Sequence, residues 1–388
     1  MKILHTGDWH LGKIVNQVYM TEDQEYILEE LCKILDEEKP DLIIISGDIY
    51  DRAVPPVEAV ELLDNVLSKI LLEKHVPIIA SAGNHDSPDR IAFGSNILQN
   101  NGLYIEGKLK RELRKVVLKD ELGPVNFYLL PYAHPMEVRS LFEKEEVHSH
   151  NDAMKVIVDS IKENVNYDER NVVVCHGYIR GLVELERSDS ERPLSIGGTE
   201  YVEASIFKDF EYTALGHLHG AQKVTEDSLR YAGSLLKYSF SEVKQNKSVA
   251  LVELGAKGTT SIVTLKPLKP LREMRIIKGE LKQLIEAAQI EDSICQDYIK
   301  AIITDQGELI DPMNKLRIVY PNILELIRED KNKKTGETKT SAGEGYKNKT
   351  KIELFESFYE SISGTEFTED KKAVVLEVIS KVEKEERG

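Results

Sequence analysis

The sequence has no long hydrophobic run: stretches such as Leu42 to Ile45 fall far short of the roughly 18 residues that a membrane-spanning helix requires. A membrane-spanning chain is therefore excluded at the level of sequence. The first residues reach the polar turn Thr6-Gly7-Asp8 before a signal-peptide apolar segment develops, so the cytosol is the expected compartment. Cysteine is scarce. Cys32, Cys175 and Cys295 lie too far apart for a zinc ribbon, and their odd count suits reduced thiols rather than a disulfide framework. Positive charge is also in deficit: 51 Lys and Arg face 67 Asp and Glu, a formal net charge of -16. Indiscriminate nucleic-acid binding is disfavoured, and any anionic substrate needs a local cationic feature. What is present is globular. With 388 residues, 41% hydrophobic and 30% charged, the chain is neither disordered nor collagen-like, and it exceeds one ordinary core, so two or more domains are expected.

The first two thirds alternate short β-branched runs with longer helical patterns, as parallel strands joined by crossover helices do. Lys2 to His5, Leu42 to Ser46, Pro77 to Ser81, Asn171 to Cys175 and Tyr212 to Leu215 read as strands. Thr21-Glu22-Asp23-Gln24 fits a capping box, followed by an apolar face of Ile27, Leu28, Leu31, Ile34 and Leu35 that stops near Pro40. A second helix, Pro56 to Lys74, carries a stripe of Val57, Val60, Leu63, Leu67, Ile70 and Leu71, suited to covering a sheet or a second subunit. Segments 102–132 and 229–267 suggest antiparallel strands completing a second sheet. After Pro270 the pattern restarts: strand Met274 to Lys278, helix Leu281 to Ala288, strand Tyr298 to Thr304 and helix Asn322 to Arg328. Residues 331–350 hold six Lys and two Glu with few apolar groups and read as a linker. Beyond it, Leu354, Phe355, Phe358 and Tyr359, then Val374, Val375, Val378, Ile379 and Val382, form two amphipathic helices. A hairpin of that size cannot bury both faces by itself, which suggests a docking module.

Five polar motifs follow the five strands: Asp8-Trp9-His10, Gly47-Asp48, Gly83-Asn84-His85-Asp86, His176-Gly177 and Gly216-His217-Leu218-His219. In open α/β sheets the carboxyl ends of strands converge on the ligand crevice, so residues remote in sequence are expected to meet there. Five of the ten histidines occupy these short zones. Scattered placement would put fewer than one there. Asp8, His10, Asp48, Asn84, His176, His217 and His219 offer nitrogen and oxygen donors without thiolate, a set suited to manganese, iron, zinc or cobalt. Seven donors are too many for one tetrahedral ion and suit two ions sharing a carboxylate, as in two-metal phosphoesterases. Two divalent ions against roughly two carboxylate charges leave a net cationic site for phosphate. Singly, each motif reads as a core histidine, a turn-capping Asp or a strand-ending glycine. The case rests on their joint occurrence.

This ordered set resembles the calcineurin-like metallophosphoesterase superfamily, whose motif run is D-x-H, G-D, G-N-H-[DE], H and G-H-x-H. The resemblance implies an α/β, four-layer fold of two packed sheets flanked by helices. It implies that Asp8, His10, Asp48 and His219 hold one metal and Asp48, Asn84, His176 and His217 the other, manganese being expected. His85 would face the phosphate as a non-ligand that protonates the leaving oxygen, with Asp86 orienting its ring. The segments Asp8 to Lys13, Ile196 to Val202 and Tyr231 to Glu242 narrow the likeness to nuclease subunits of ATPase-gated DNA-repair complexes. Leu235 stands where many relatives carry Pro, and Asp51 where archaeal relatives tend to carry a histidine.

That resemblance implies an exonuclease at duplex ends and an endonuclease on single strands or hairpins, using a two-metal-activated water. It implies an ATPase partner, a homodimer within a heterotetramer, and a nucleoid-associated location. The implied domains are 1–268 (nuclease), 269–330 (small α/β cap), 331–350 (linker) and 351–388 (hairpin docking the ATPase). The Pro56 to Lys74 stripe and a helix near Ile91 to Gln99 are the dimer candidates. Lys13, Arg52, Arg90 and Arg180 lie just beyond the metal motifs and are candidates for DNA-backbone contact. Trp9 and Tyr50 are expected to buttress the ligand loop rather than stack on bases. The alternatives are a small-molecule nucleotidase or phosphodiesterase and a non-catalytic scaffold for the ATPase.

Overall fold

The computed structural model describes residues 1–194, 200–288, 296–329, 352, 355, 356, 359 and 367–385. It divides into two units, residues 1–327 and 328–388.

Two six-stranded sheets form the centre of the larger unit. The first has the order Ile262–Pro267, Ser248–Glu253, Lys2–Thr6, Leu42–Ser46, Ile78–Ser81, Leu103–Glu106, parallel from Lys2–Thr6 onward and antiparallel on the other side. The second runs Gln222–Lys223, Leu229–Tyr231, Tyr212–Gly216, Arg170–His176, Gly123–Leu130, Lys115–Asp120, with antiparallel pairs at both edges. Successive side chains of a strand point to opposite faces, and the apolar runs exploit this. Ile3, Leu42, Ile44 and Ile79 pack against Val125, Phe127, Leu129, Val172 and Val174 of the other sheet. Their neighbours Leu4, Ile43 and Ile45 turn outward onto Ile27, Leu28 and Leu31 of the helix Thr21–Glu38. Val173, Cys175 and Leu215 turn outward onto Ala153, Ile157 and Val158 of the helix His150–Lys162. Strands buried on both faces explain the unbroken β-branched runs, and the layers are helix, sheet, sheet, helix.

Thr21 does not cap its helix. The helix begins at Thr21 after Met20, with no side-chain cap. Gln24, the expected box partner, instead accepts from Gly12 N at 3.0 Å and donates to His10 O at 2.7 Å. The second helix spans Val57–Ser68 and continues as a wider turn, Lys69–Glu73. Its stripe is divided: Leu63 and Ile70 reach the core and Leu67 and Leu71 pack partly against it, whereas Val57 and Val60 remain exposed. No single helix covers Ile91 to Gln99. Two short turns, Pro88–Ile91 and Ser95–Leu98, are separated by Gly94 at φ 72°, a left-handed value that ends a helix.

Residues 274–328 add a three-stranded sheet, Met274–Gly279, Tyr298–Ile303 and Ile323–Arg328, with helices Leu281–Ala288 and Pro312–Val319. Ile323–Arg328 is thus a strand, not the expected helix: Pro321 precedes it, and Ile323 is buried at its start. This subdomain docks on the helix Thr21–Glu38. Arg272 pairs with Glu22 and Asp23 at 2.6 and 2.8 Å, and Tyr298 Oη donates to Asp23 at 2.7 Å.

In the smaller unit, the helix Glu369–Glu385 is preceded by Phe367, whose ring lies 5.6 Å from Phe355 and 5.2 Å from Tyr359. The linker 331–350, the side chains of Leu354, Phe358, Ile379 and Val382, Cys295 and residues 196–199 of the Ile196 to Val202 segment lie outside the described residues. Among the described residues, no helix is long and apolar enough to cross a membrane. Cys32 and Cys175 are free and buried.

Candidate metal centre

The five motif-bearing strand ends converge, three from the first sheet and two from the second. The expected crevice is therefore shared between two sheets rather than lying at the rim of one. The two halves approach closely. Gly47 has φ 94°, and a Cβ there would strike the His176 ring, so a larger residue would push apart strands from opposite sheets. Backbone bonds tie the loops together: Asp8 N donates to Gly47 O at 3.0 Å, and His10 N to Asp48 O at 2.9 Å.

All seven predicted donors are gathered here. His10 Nε2 and His219 Nε2 face each other at 3.0 Å, and His10 Nε2 lies 3.7 Å from Asp48 Oδ2. On the other side, His176 Nε2 is 3.4 Å from Asp48 Oδ2 and 2.8 Å from Asn84 Oδ1. Asp48 Oδ2 thus faces both histidine sets. The ring of His217 lies 5.4 Å from that of His176, and its backbone N–H donates to Asp8 Oδ1 at 2.9 Å. Donor atoms of Asp8, His10 and His219, and of Asp8, Asp48 and His176, each fall within 4.8 Å of one another.

The electrostatics demand positive charge. Burial pushes the Asp8 carboxyl well above its usual range, with His176 opposing. Burial also works against Asp48, but the rings of His176, His10 and His85 outweigh it and hold that carboxyl well below. Burial opposes charge on His176 too, yet Asp48 and Asp8 raise it to about 9. Asp8 Oδ2 and His217 Nε2 are buried without a hydrogen-bond partner, while His10 Nδ1 faces Asp51 Oδ1 at 3.5 Å. A buried polar atom left unpaired costs about 1–3 kcal/mol, so such a cluster is unfavourable unless something binds it. Divalent cations fit this donor set: two carboxylates, an amide oxygen and four imidazoles.

His85 stands beside the donors, its Nε2 4.0 Å from Asp48 Oδ2 and its ring 4.7 Å from that of His10. Its expected partner is corrected. Asp86 accepts the backbone N–H groups of Ile49, Tyr50 and Gly83 and shapes the loops, while His85 Nδ1 donates to the carbonyl oxygen of Asp51 at 2.7 Å. Loop amides compete better for the buried Asp86 carboxylate than the ring does. Lys13 reaches the site, 2.8 Å from Asp51 and over the Tyr238 ring. Arg52 and Arg90 are exposed, and Arg180 stacks on Tyr201. Trp9 is fully buried, its indole N–H on Thr6 Oγ1 at 2.9 Å, and Tyr50 is buried as well.

Four participants escaped the sequence reading: Gln24, Ser190, Glu191 and Glu242. Glu242 closes the Tyr231 to Glu242 segment, where a carboxylate after Tyr238-Ser239-Phe240 is a legible oddity. Gln24 carries a signal for a different role, the capping box, and Ser190 and Glu191 carry none.

The fold and this centre are those of a metal-dependent phosphoesterase, and comparison with known proteins agrees. The calcineurin-like phosphoesterase family model matches residues 1–221, and a model described as the type 5 capsule protein repressor C-terminal domain matches residues 270–362. A curated relative, the SbcD subunit of the nuclease SbcCD from Staphylococcus epidermidis, is 37% identical over 84% of this chain and 85% of its own length. The chain belongs to the SbcD family of calcineurin-like phosphoesterases. Among solved structures, a dimetal phosphatase from Danio rerio aligns at 12% identity and a TM-score of 0.40, over 68% of this chain and 98% of its own. The phosphopantetheinyl hydrolase of Mycobacterium tuberculosis aligns at 14% identity and 0.34, over 62% and 91%.

Proposed function

We propose that this chain is the metal-dependent nuclease subunit of an SbcCD-type complex, hydrolysing DNA phosphodiesters with an SbcC-type ATPase as partner. The observation that carries the reading is the convergence of seven nitrogen and oxygen donors with two buried, unpartnered donor atoms, Asp8 Oδ2 and His217 Nε2, among them. Asp8, His10, Asp48 and His219 would hold one cation, and Asp48, Asn84, His176 and His217 the other, with manganese the preferred metal. Two divalent cations bound there would supply a nucleophile at neutral pH and neutralise phosphate charge.

The chain's own residues do the rest. His85, anchored through Nδ1 on the Asp51 carbonyl, presents Nε2 to the scissile phosphate and gives a proton to the leaving oxygen. Asp86 holds the loops that carry Asp48 and His85. Lys13, steadied by Asp51, is the basic residue best placed to meet a substrate phosphate; Arg52, Arg90 and Arg180 contribute at longer reach. The substrates are duplex ends for exonucleolytic cleavage and single strands or hairpins for endonucleolytic cleavage. The subdomain after Pro270 caps the nuclease domain and selects DNA shape, and the hairpin within 351–388 grips the ATPase. Exposed Val57, Val60, Phe93 and Ile97 provide a homodimer contact.

The test is cleavage of linear duplex, single-stranded and hairpin DNA by the purified chain with manganese, alone and with its ATPase. Wild-type protein is expected to cut only when metal is present. His85→Ala is expected to lower the rate roughly 10²–10⁴-fold, the usual worth of a general acid, while metal and DNA binding persist. Turnover of a small phosphodiester alongside inactivity on every DNA form would replace this reading with a small-molecule phosphodiesterase.

A further inference from the structure

Behind His219 lies a chain of polar groups, buried at Glu242 and Lys247 and half-buried at Ser190, that the reaction above leaves unused. His219 Nδ1 sits 2.7 Å from Ser190 Oγ and 3.2 Å from Glu242 Oε1, and Ser190 Oγ is 2.5 Å from that same carboxylate oxygen. The other oxygen, Glu242 Oε2, accepts from the Lys247 ammonium at 2.6 Å. Lys247 also donates to His219 O and to Ser234 Oγ, each at 2.9 Å. Glu191 Oε1 accepts the His219 backbone N–H at 2.8 Å. Glu242 has no solvent exposure at all. Three separate parts of the chain, the loop at 188–191, the turn Phe240–Glu242 and the residue before the strand Ser248–Glu253, are brought together behind one ring.

Hydrogen-bond chemistry fixes the proton positions. Glu242 is an acceptor, so the Ser190 hydroxyl donates to it and keeps a lone pair for the ring. His219 must then carry its proton on Nδ1, which leaves Nε2 as a lone pair aimed at His10 Nε2, 3.0 Å away. A buried carboxylate used in this way is costly unless paired, and Lys247 offsets that cost. The partner on the far side of a ligating imidazole sets both its tautomer and its orientation.

We propose that Glu242, acting directly and through Ser190, is a positioning residue that fixes the His219 proton on Nδ1 and keeps Nε2 open for a divalent cation, with Lys247 as its buried counter-ion. The inference rests on the two-cation reading.

Manganese binding tests it, by metal stoichiometry and by electron paramagnetic resonance, which separates an exchange-coupled pair from an isolated ion. In Glu242→Gln the amide nitrogen must face either the Lys247 ammonium or the His219 Nδ1 proton, so one partner is always wrong. The expected result is one manganese held as in wild type, a second weakened roughly 10–100-fold, and the pair signal replaced by that of an isolated ion. The retained site draws ligands from both sheets and so reports a folded core. Ser190→Ala, which leaves the Glu242–Lys247 pair in place, is expected to move the second affinity in the same direction by less. Two sites filled with unchanged affinity in both variants would overturn the inference alone. Loss of both sites in Glu242→Gln with none in Ser190→Ala would reduce Glu242 to a folding role and overturn it too. Wild-type protein taking up fewer than two manganese ions would overturn the two-cation reading and this inference with it.

Discussion

At the scale of single residues, the centre is assembled from backbone that most side chains avoid. Asp8, His10, Asp48 and His217 have φ of 52°, 48°, 49° and 111°. Such conformations cost about 1–3 kcal/mol each and persist only where the surroundings over-determine them. Here the fixing contacts are local and buried: His217 N on Asp8 Oδ1 and His85 N on Asp48 Oδ1, both at 2.9 Å. Gly83 lies under the second of these, and a Cβ there would overlap Asp48 Oδ1 and the Asp48 backbone nitrogen. Gly83→Ala is therefore expected to displace the Asp48 carboxylate. Manganese stoichiometry should fall, and stability should drop by about 1–3 kcal/mol, the usual cost of overpacking, both measurable on the same preparation by metal analysis and denaturant unfolding. Unchanged metal uptake would mean that the Asp48 loop yields without effect. The candidate ligands that the structure gathers were legible in the sequence because His and Asp at strand ends are distinctive by type and place. Gln24, Ser190 and Glu191 were not, since each acts through a contact with a loop remote in sequence, and no spacing rule links the two.

At the scale of elements, the helix Thr21–Glu38 joins the metal centre to the subdomain that follows Pro270. Its first turn carries both links. Gln24 braces the ligand loop at Gly12 and His10, and the adjacent Asp23, 1% exposed, receives Arg272 and Tyr298. Asp23→Asn removes the charge that both groups address. It is expected to cost about 1.5–3 kcal/mol, the worth of hydrogen bonds to a charged group. It should combine non-additively with Arg272→Ala, because the two share one interaction. A double-mutant cycle by urea denaturation measures this, and full additivity would show that docking depends on other contacts. The sequence named this helix correctly from its apolar face but misassigned its first turn. Thr-x-x-Gln satisfies the capping-box pattern, and only tertiary contacts decide whether the Gln folds back or reaches out. The same limit applies to Ile323–Arg328, six residues that can be read as one side of a helix or as a strand, and to Ile91–Gln99, where one left-handed glycine divides the run. Strand identity was plain from the β-branched runs. The division of those strands between two sheets was not, because strands buried on both faces read alike in either.

At the scale of the whole molecule, a net charge of -16 has to be reconciled with a polyanionic substrate. Affinity spread over the surface is disfavoured, so the function proposed above requires binding to be concentrated where bound cations, with Lys13 beside them, would reverse the local sign. The proposed homodimer would help here, since two centres on one assembly would engage DNA at two points without a basic surface on either. The exposed apolar side chains are suited to that role: Val57 and Val60 on one helix, and Phe93 and Ile97 on the turns at 88–98, the last two 85% and 73% exposed. Large apolar groups on a surface otherwise dense in charge mark an interaction face. Val57→Glu combined with Ile97→Glu would place like charges on both sides of a two-fold contact, where every substitution meets its own copy or a neighbour. The expected outcome is conversion of a dimer to a monomer in sedimentation velocity. Manganese content and single-strand cleavage should be retained, because neither residue approaches the donors, and duplex-end cleavage with the ATPase should fall. A dimer that survives both charges would assign self-association to another surface. A monomer that keeps full duplex-end activity would show that doubling is not what compensates for the acidic surface.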